Sequence, residues 1–326
     1  MEEKIVKKFS SYSGIFIAGH NGMVGSSIMR KLIQKGVSKK NIITQNRPHL
    51  DLTNQNQVNS FFRDYEIDYV VLAAAKVGGI SANYNYPAEF IYENLMIQSN
   101  VISASKKNNI EELLFLGSSC IYPREENKRL KEEDLLSSRL EKTNEAYAVA
   151  KIAGIKMCES FNKQYDTDYR SVMPTNLYGA GDNYHPTNSH VIPGLIRRFH
   201  DAKVKDEEIV EVWGTGLPRR EFLNVDDLAE ACTHIMTIDK KEFRRITKDT
   251  NLINVGYGDD ITIKELSKLI ADIVGFNGKI MFKNDELDGV QKKLLDISKI
   301  TSTGWRPNID LASGLNKTYK DFLTYN

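Results

Sequence analysis

Residues 14–25 read GIFIAGHNGMVG, a short apolar run followed at once by three glycines at intervals of three residues. The apolar part predicts a buried strand, and residues 26–35 have the character of a helix. Glycines between a strand and a helix allow a tight turn and the close approach of a diphosphate. The N–H groups and the positive end of the following helix would bind the phosphates. The stretch therefore predicts a dinucleotide site that opens an α/β domain.

Apolar runs and helical stretches alternate along the first half of the chain. We expect strands at 41–44, 68–75, 111–117 and 168–173, and a long helix at 87–107. We interpret residues 76–86 as a loop and residues 124–144 as an exposed polar excursion. The repeated alternation predicts an α/β fold with a doubly wound parallel sheet of the Rossmann type.

Beyond about residue 177 the pattern becomes irregular, and it predicts a smaller C-terminal α/β substrate lobe. Further elements are expected in this region: helices at 191–202 and after Asn224, and strands at 210–213 and 252–256. The predicted dinucleotide-binding domain comprises residues 11–176 and about 217–258. The predicted substrate lobe comprises about 177–216 and 259–326, and part of the region is expected to return to the sheet.

The composition excludes several classes of function. The chain has 326 residues with 44 basic and 43 acidic side chains, so its net charge of +1 attracts neither nucleic acid nor an anionic membrane. The first ten residues lack the apolar part of a secretory signal, and no apolar stretch approaches the ~18 residues of a membrane span. Cys120, Cys158 and Cys232 show no metal-binding spacing. We therefore expect a reduced, cytoplasmic protein without a metal.

Tyr147 and Lys151 are four residues apart in a stretch that is predicted to be helical. This spacing places both side chains on one face, one turn apart. An ammonium group near the phenol would lower the pKa of the tyrosine and make it a proton donor and acceptor near neutral pH. The pattern alone is common on exposed helices. Ser118 strengthens the interpretation, because it follows a predicted strand, and open α/β sheets bind ligands at the carboxyl ends of their strands.

The end of the second predicted strand indicates the type of dinucleotide. An NAD site usually has an acidic residue there for the ribose 2′-hydroxyl. This chain has Gln45, Asn46 and Arg47 instead, and the guanidinium of Arg47 would pair with the 2′-phosphate of NADPH. The alternative for Arg47 is a solvated loop arginine. NADP(H) is therefore the predicted cofactor.

Five sequence blocks extend the site beyond one tyrosine and one lysine. They are GHNGMVG at 19–25, AAAKVGG at 73–79, LGSSCIYP at 116–123, PTNLYG at 174–179 and NSHVIP at 188–193. Through these blocks the chain resembles the extended short-chain dehydrogenase/reductase family, and within it the GDP-L-fucose synthase group, over nearly its whole length from about residue 14. The resemblance implies an NADP-dependent oxidoreductase and epimerase. The implied substrate is the GDP-linked 4-keto sugar GDP-4-keto-6-deoxy-D-mannose, epimerised at C3 and C5 and reduced at C4.

The resemblance also implies roles for individual residues. Catalysis is implied for Ser118, Tyr147 and Lys151 in carbonyl reduction, and for Cys120 and His190 as base and acid of epimerisation. Cofactor contacts are implied for Gly19, Asn21, Gly22, Met23, Val24, Gly25, Arg47, Leu52, Ala75, Lys151, Pro174, Asn176, Leu177 and His190. Substrate contacts are implied for Arg198, Trp213, Arg220 and Asp288. Asn21 stands where family members often have an arginine, which makes Arg47 more important for the 2′-phosphate.

Two other functions stay open on the sequence. One is a C4-reductase, with or without epimerase activity, of another GDP-4-keto sugar such as a GDP-6-deoxy-4-keto-heptose. The other is a dinucleotide-binding sensor without catalysis. The sensor is disfavoured because a pure binding module has no need of the serine, the tyrosine and the lysine together.

A last expectation concerns assembly. Ile152, Ile155 and Phe161 give the tyrosine helix more apolar surface than one sheet face needs. Extended members of the family commonly pair through this helix and the long one before it, here residues 87–107. We therefore expect a homodimer.

Overall fold

Six parallel strands form the central sheet of the computed structural model, which describes residues 5, 8, 9, 14–124, 128–186, 188–248, 250–283 and 290–325. The strands are β1 (Ile15–Ala18), β2 (Ile42–Ile43), β3 (Tyr69–Leu72), β4 (Glu112–Leu116), β5 (Asp168–Pro174), β6 (Asn176–Tyr178), β7 (Ile209–Trp213), β8 (Arg219–Arg220), β9 (Phe222–Asn224), β10 (Leu252–Val255), β11 (Ile261–Thr262), β12 (Lys279–Lys283) and β13 (Lys292–Lys293). The central sheet has the order β10-β5-β4-β3-β1-β2. Part of the C-terminal half, β10, therefore returns to the sheet.

The helices of the described residues cover both faces of this sheet or belong to a smaller C-terminal lobe. They are α1 (Met23–Gln34), α2 (Gln55–Asp64), α3 (Ile80–Asn85), α4 (Pro87–Lys107), α5 (Glu145–Tyr165), α6 (Val191–Val204), α7 (Val225–Thr237), α8 (Lys240–Thr247), α9 (Ile263–Val274), α10 (Ser298–Ser302) and α11 (Leu311–Tyr325). In β1, Ile15 belongs to one core cluster with Ile28 of α1, and Phe16 belongs to another with Val101 of α4. Successive side chains of a strand point to opposite faces, so a strand covered on both sides is apolar throughout. The predicted doubly wound sheet is confirmed.

The chain changes its direction of progress across the sheet between β1 and β3. From β1 it moves outward to β2, then returns to β3 on the other side of β1 and continues to β4 and β5. Ligands of open α/β sheets bind at such a switch point, outside the carboxyl ends of the strands. The glycine turn after β1 and the small residues after β3 therefore face the same crevice.

A smaller α/β lobe is built from the C-terminal part of the chain. Here β6 pairs with β9, β7 pairs with β12, and β8 pairs with both β11 and β13. Phe199 of α6, Val212 of β7, Ile270 of α9 and Phe322 of α11 belong to one buried cluster, so these elements share a core. Asn224 caps α7 as predicted, since its Oδ1 accepts a hydrogen bond of 2.9 Å from the backbone N–H of Asp226.

Two segments are more ordered than the sequence predicts. The expected loop at 76–86 contains the helix α3. In the polar segment 124–144, Leu130 is buried and forms a β-bridge with Leu295, so this segment is not simply an exposed excursion. Buried Glu132 accepts a hydrogen bond of 2.9 Å from the backbone N–H of Asn254 in β10. Its charge suggests a solvated residue, but here the carboxylate anchors the segment to the sheet.

The apolar residues of α5 on which the expected dimer was based pack inside the chain itself. Ile152 and Ile155 are buried in the core of the chain itself, and Phe161 is partly buried against the same core. The apolar surplus inferred from these residues is therefore absent. Within the described residues, every helix is too short or too polar to cross a lipid bilayer.

Candidate active site

A cavity of about 670 Å³ opens at the switch point of the sheet. Every residue that the sequence analysis assigns to catalysis or to the cofactor lines this cavity, as does one of the predicted substrate residues, Arg220. They are Gly19, Asn21, Gly22, Met23, Val24, Gly25, Arg47, Leu52, Ala75, Ser118, Cys120, Tyr147, Lys151, Pro174, Asn176, Leu177 and His190. In the described part of the chain, no cluster of three or more His, Cys, Asp or Glu side chains is placed to bind a metal ion.

The glycine turn fits a dinucleotide. Gly19 has a φ of +89°, and a Cβ at this position would lie 2.6 Å from the backbone nitrogen of Ala74. Only glycine therefore allows this approach between the loops after β1 and β3. Helix α1 begins directly after Gly22, which supplies no side-chain cap. The N–H groups of its first turn have no intrahelical acceptor, so this end of the cavity offers hydrogen-bond donors to a diphosphate.

The end of β2 holds a cation instead of a carboxylate. The Arg47 side chain is 76% exposed, and its Nη2 lies 3.5 Å from Glu93 Oε2. Glu93 also forms an ion pair of 2.7 Å with Lys76. Asn21, in the glycine turn, donates a hydrogen bond of 2.8 Å to Asn46 Oδ1. The guanidinium of Arg47 thus stands at the rim of the cavity, where a 2′-phosphate could displace its ion pair with Glu93.

Ser118, Tyr147 and Lys151 meet near the carboxyl end of β4. Ser118 follows this strand and forms a hydrogen bond with the phenol of Tyr147. Lys151, one turn further along α5, donates a hydrogen bond of 2.7 Å to the carbonyl of Leu116, the last residue of β4. Its Nζ lies 5.9 Å from the centre of the Tyr147 ring. The structure thus brings the predicted serine, tyrosine and lysine together.

Burial is the main cause of the pKa shifts of Tyr147 and Lys151. It raises the pKa of Tyr147 well above the ordinary value of a phenol; the neighbouring Cys120 adds to the rise, and the hydrogen bond with Ser118 offsets part of it. Desolvation also lowers the pKa of Lys151, which is 3% exposed, to about 7. The prediction that the lysine lowers the pKa of the tyrosine is therefore wrong, because the ammonium is itself destabilised. Tyr147 is held as a protonated phenol, a proton donor.

Cys120 and His190 reach the same cavity from different elements. Cys120 lies in a short 3₁₀ turn after β4 and packs against the cluster of Ala82, Phe90 and Tyr147. His190 precedes the first residue of α6 and is exposed at the cavity. Partial desolvation by the surrounding protein lowers its pKa. A soft nucleophilic sulfur and an imidazole therefore face one space, as the sequence analysis expects.

The predicted substrate residues are separated. Arg220, on β8, lines the cavity. The guanidinium of Arg198 lies 4.7 Å from the centre of the Trp213 ring, and the indole is 52% exposed on the smaller lobe. Arg198 also donates a hydrogen bond of 2.8 Å to the carbonyl of Glu211. Arg198 and Trp213 form one cationic and aromatic surface patch beyond the cavity lining. The remaining predicted substrate residue, Asp288, lies outside the described residues.

Lys293 is a cavity residue that the sequence analysis does not identify. It lies on β13, pairs with Arg220 across the strand ladder, and lines the cavity near Cys120. In the sequence it is the second of two adjacent lysines, a pattern typical of a solvated surface. No spacing relates position 293 to position 120, so only the pairing of β13 with β8 reveals their proximity.

Known proteins with similar sequences cover nearly the whole chain. A profile of the NAD dependent epimerase/dehydratase family matches residues 15–253. The GDP-L-fucose synthase of Escherichia coli (strain K12) is 52% identical over 310 residues, which make up 95% of this chain and 96% of that protein.

Two solved structures of Campylobacter jejuni enzymes have the same fold over nearly their whole length. A GDP-6-OMe-4-keto-L-xylo-heptose reductase is 38% identical and superposes with a TM-score of 0.90. The alignment covers 97% of this chain and 99% of that one. A GDP-mannoheptose C4 reductase with NADP bound is 37% identical, with a TM-score of 0.86 over 96% of this chain and 99% of that one.

Proposed function

The chain belongs to the NAD dependent epimerase/dehydratase family, and from this premise we propose that it converts GDP-4-keto-6-deoxy-D-mannose to GDP-L-fucose with NADPH. The reaction comprises epimerisation at C3 and C5 and reduction of the C4 keto group. The observation that carries the proposal is a single cavity in which the serine, tyrosine and lysine of a carbonyl reductase stand beside a cysteine and a histidine. The identity of 52% with a GDP-L-fucose synthase supports the choice of sugar.

The cofactor NADP(H) would be held by the glycine turn and by Arg47, which are the diphosphate and 2′-phosphate ends of the site. Lys151 would hold the nicotinamide ribose. When bound, NADPH supplies the hydride that reduces C4. The similar C4 reductase with NADP bound supports this choice of dinucleotide.

Reduction uses the hydroxyl groups of Ser118 and Tyr147. Both would donate hydrogen bonds to the C4 carbonyl oxygen, which would polarise the carbonyl and stabilise the negative charge that develops on oxygen. Tyr147 then transfers its phenolic proton to that oxygen. The raised pKa of the phenol keeps the proton in place until this step.

Epimerisation uses the acidity of the carbons that flank the C4 keto group. Cys120 as thiolate removes a proton from C3 or C5, and the electron pair moves into an enolate whose oxygen accepts hydrogen bonds from Ser118 and Tyr147. His190 returns a proton to the opposite side of the same carbon. One pair of hydroxyls therefore serves both halves of the reaction, because the enolate and the alkoxide place negative charge on the same atom.

The smaller lobe is the proposed site of the nucleotide-sugar. Arg198 and Arg220 would bind the diphosphate, and the exposed ring of Trp213 offers a face to a base or sugar. Asp288 is proposed as a further contact. The domain bounds predicted from the sequence stay a proposal; β8 and β9, which lie inside the predicted range 217–258, pair with strands of the smaller lobe.

A second candidate function is C4 reduction of a GDP-linked 4-keto-heptose. The TM-score of 0.90 with a heptose reductase favours it. The presence of both Cys120 and His190 and the higher identity with the fucose synthase favour epimerisation with reduction.

Product analysis after turnover in deuterated water tests the proposal. With the 4-keto hexose and NADPH we expect GDP-L-fucose that carries deuterium at C3 and C5, seen by NMR and mass spectrometry. Cys120→Ser should lose most of this labelling, because a serine hydroxyl is a much weaker base than a thiolate. Hydride transfer should persist in that variant. If the native protein gives reduced product without deuterium at C3 or C5, it is a C4-reductase without epimerase activity.

We also propose a cytoplasmic homodimer that pairs through α4 and α5. Tyr92 on α4 and Val149 on α5 are exposed apolar side chains that support this surface. Light scattering at micromolar concentration is expected to give twice the mass of one chain. A single-chain mass would contradict the dimer.

A further inference from the structure

Asn144 stands at the start of a helix without capping it. It directly precedes α5, a position at which an asparagine side chain usually accepts a hydrogen bond from a backbone N–H of the first turn. Such a bond needs an extended backbone, but Asn144 has φ −133° and ψ 18°, because a 3₁₀ turn (Lys142–Asn144) leads straight into the helix. Its side chain makes no capping hydrogen bond. The usual reason for an asparagine at this position therefore does not apply.

The Asn144 side chain belongs to the cavity wall beside the proposed proton donor. Asn144 and Tyr147 both line the cavity, and their spacing of three residues makes them neighbours on one helix face. The Asn144 Oδ1 atom is buried, and no described residue donates a hydrogen bond to it. The terminal torsion of asparagine is soft, so a rotation of the amide turns this oxygen toward the cavity. A buried amide oxygen without a partner is costly, and a ligand that donates a hydrogen bond to it removes that cost.

The turn that carries Asn144 is fixed by hydrogen bonds and by packing. The backbone N–H of Asn144 donates a hydrogen bond of 3.2 Å to the carbonyl of Glu141. Glu141 Oε1 in turn accepts a hydrogen bond of 3.3 Å from the backbone N–H of Thr143. Helix α3 packs against the same turn. The amide of Asn144 is therefore held at one place in the cavity wall.

Helix α3 brings a second unsatisfied amide oxygen to this wall. Asn83 lines the cavity and is 7% exposed. Its Nδ2 donates to the carbonyls of Gly78 and Gly79, which identifies Oδ1 as the other end of the amide, and within the described chain this oxygen has no donor. Ala82, the residue before it, packs in one cluster with Tyr147. Two elements thus place hydrogen-bond acceptors without partners beside the proton donor.

We propose that Asn144 is a specificity-determining residue of the sugar site and that its amide binds the hydroxyl group at C3 of the 4-keto sugar. The proposal rests on the function proposed above. When the C4 carbonyl lies at Ser118 and Tyr147, the sugar offers hydroxyl groups only on its C3 side, at C3 and C2, because its C5 side carries a methyl group. A hydroxyl both donates and accepts, so it matches either end of an amide. The Asn83 oxygen is a further acceptor on the same wall.

The contact is with the sugar as it enters the site. Epimerisation at C3 moves the hydroxyl to the other side of the ring, so one fixed amide matches one of the two configurations. A hydrogen bond to the entering configuration orients the ring before the first proton is removed. A site built to bind a substrate hydroxyl also discriminates against an analogue that lacks it, because its own polar group is then left unpaired.

Binding of GDP-mannose tests the proposal without turnover. Mannose carries the C2 and C3 hydroxyls in the configuration of the entering sugar, and it has no keto group for NADPH to reduce. Calorimetric titration of the NADPH-loaded protein gives the dissociation constants of GDP-mannose and of GDP, which lacks the sugar. We expect Asn144→Ala to weaken GDP-mannose binding by about tenfold, the effect of one hydrogen bond, and to leave GDP binding unchanged.

The matched control is an asparagine that does cap a helix. Asn54 precedes α2, is exposed, and accepts hydrogen bonds at Oδ1 from the backbone N–H groups of Asn56, at 3.1 Å, and Gln57, at 3.2 Å. Asn54→Ala should lower the melting temperature and leave both affinities at their native values, because it removes a cap and no sugar contact. Asn144→Ala should show the reverse, with a native melting temperature and weaker binding of GDP-mannose.

The 3-deoxy form of the 4-keto sugar identifies the hydroxyl that is bound. The native protein should reduce this analogue with a kcat/KM about tenfold or more below that of the parent sugar. In Asn144→Ala the difference between the two sugars should be much smaller, because the amide that distinguishes them is gone. The ratio of the two kcat/KM values is the readout, since a general structural defect lowers both and leaves their ratio as in the native protein.

The outcomes separate this proposal from the proposed function. A ratio of GDP-mannose to GDP affinity in Asn144→Ala that equals the native ratio overturns the sugar contact, even if GDP-L-fucose is formed. A selective loss of GDP-mannose binding supports the contact, even if the protein proves to be a reductase without epimerase activity. Native discrimination against the 3-deoxy sugar in Asn144→Ala overturns the assignment to the C3 hydroxyl.

Discussion

The backbone N–H of Gly79 donates a hydrogen bond of 3.2 Å to the carbonyl of Asn188, and so joins the loop after β3 to the turn that carries His190. Asn83 in α3 fixes the first of these loops, because its Nδ2 donates to the carbonyls of Gly78, at 2.9 Å, and Gly79, at 3.0 Å. The helix that the sequence does not predict therefore supports the position of the proposed epimerisation acid.

Gly79→Ala is expected to slow epimerisation more than reduction. A Cβ at this position would lie 2.7 Å from the carbonyl oxygen of Ser189, so the turn before His190 must move. A misplacement of about 1 Å can cost on the order of a hundredfold in rate. Ser118 and Tyr147 stand on other elements and should keep their geometry. The measurement is the deuterium content at C3 and C5 per hydride transferred, and a proportional loss of both activities would contradict the prediction.

Tyr147→Phe should lower carbonyl reduction by at least about a hundredfold, since general acids contribute ~10²–10⁴-fold. The substitution removes one hydroxyl and leaves the ring contact with Phe90 intact, so folding and NADPH affinity should change little. Initial rates of NADPH oxidation measure the effect. The control is Tyr165→Phe, an exposed tyrosine at the end of the same helix. Near-native turnover in Tyr147→Phe would place the proton donor elsewhere.

Arg47→Ala should weaken the binding of NADPH by about tenfold to a hundredfold, the value of hydrogen bonds to a charged group. The affinity for NADH should stay nearly constant, because NADH has no 2′-phosphate. Fluorescence titration of both dinucleotides gives the two dissociation constants. Arg63→Ala, at an exposed position in the last turn of α2, is the matched control. If both cofactors lose affinity equally, Arg47 does not bind the phosphate.

The stability of the cofactor-free protein should depend on pH through Lys151. Burial lowers its pKa from 10.5 to about 7, so between these values the unfolded chain binds more protons than the folded one. Lys151 therefore makes the free energy of unfolding rise with pH, by up to about 1.4 kcal/mol per pH unit. Below about pH 7 the cost of burying the charged lysine is fully present.

Lys151→Met should remove this dependence. In urea titrations the native protein should gain stability relative to the variant as pH rises from about 7 to about 9. Lys156→Met, an exposed lysine on the same helix that pairs with Glu159, should show no such gain. A difference between native protein and Lys151→Met that stays constant with pH would mean that the lysine is protonated in the folded state across this range.

The sheet and the proposed cofactor site could be predicted because their signals are local. The apolar run and the glycines at 14–25 are consecutive, and Tyr147 and Lys151 share one helix face by spacing alone. The carboxyl ends of parallel strands all lie at one edge of the sheet, so the position of Ser118 after a predicted strand places it at the crevice. The pKa of Tyr147 could not be predicted in this way, because it depends on how deeply the fold buries both the phenol and the lysine.

The amino-acid sequence by itself determined the doubly wound sheet, the position of the glycine turn and the identity of the paired tyrosine and lysine, since periodicity and spacing along the chain encode them. Only the tertiary structure decided that Lys293 lies near Cys120 in the cavity and that Gly79 supports the turn before His190. These arrangements join residues more than a hundred positions apart. They arise from the pairing of β13 with β8 and the approach of two loops, and neither leaves a periodic trace in the sequence.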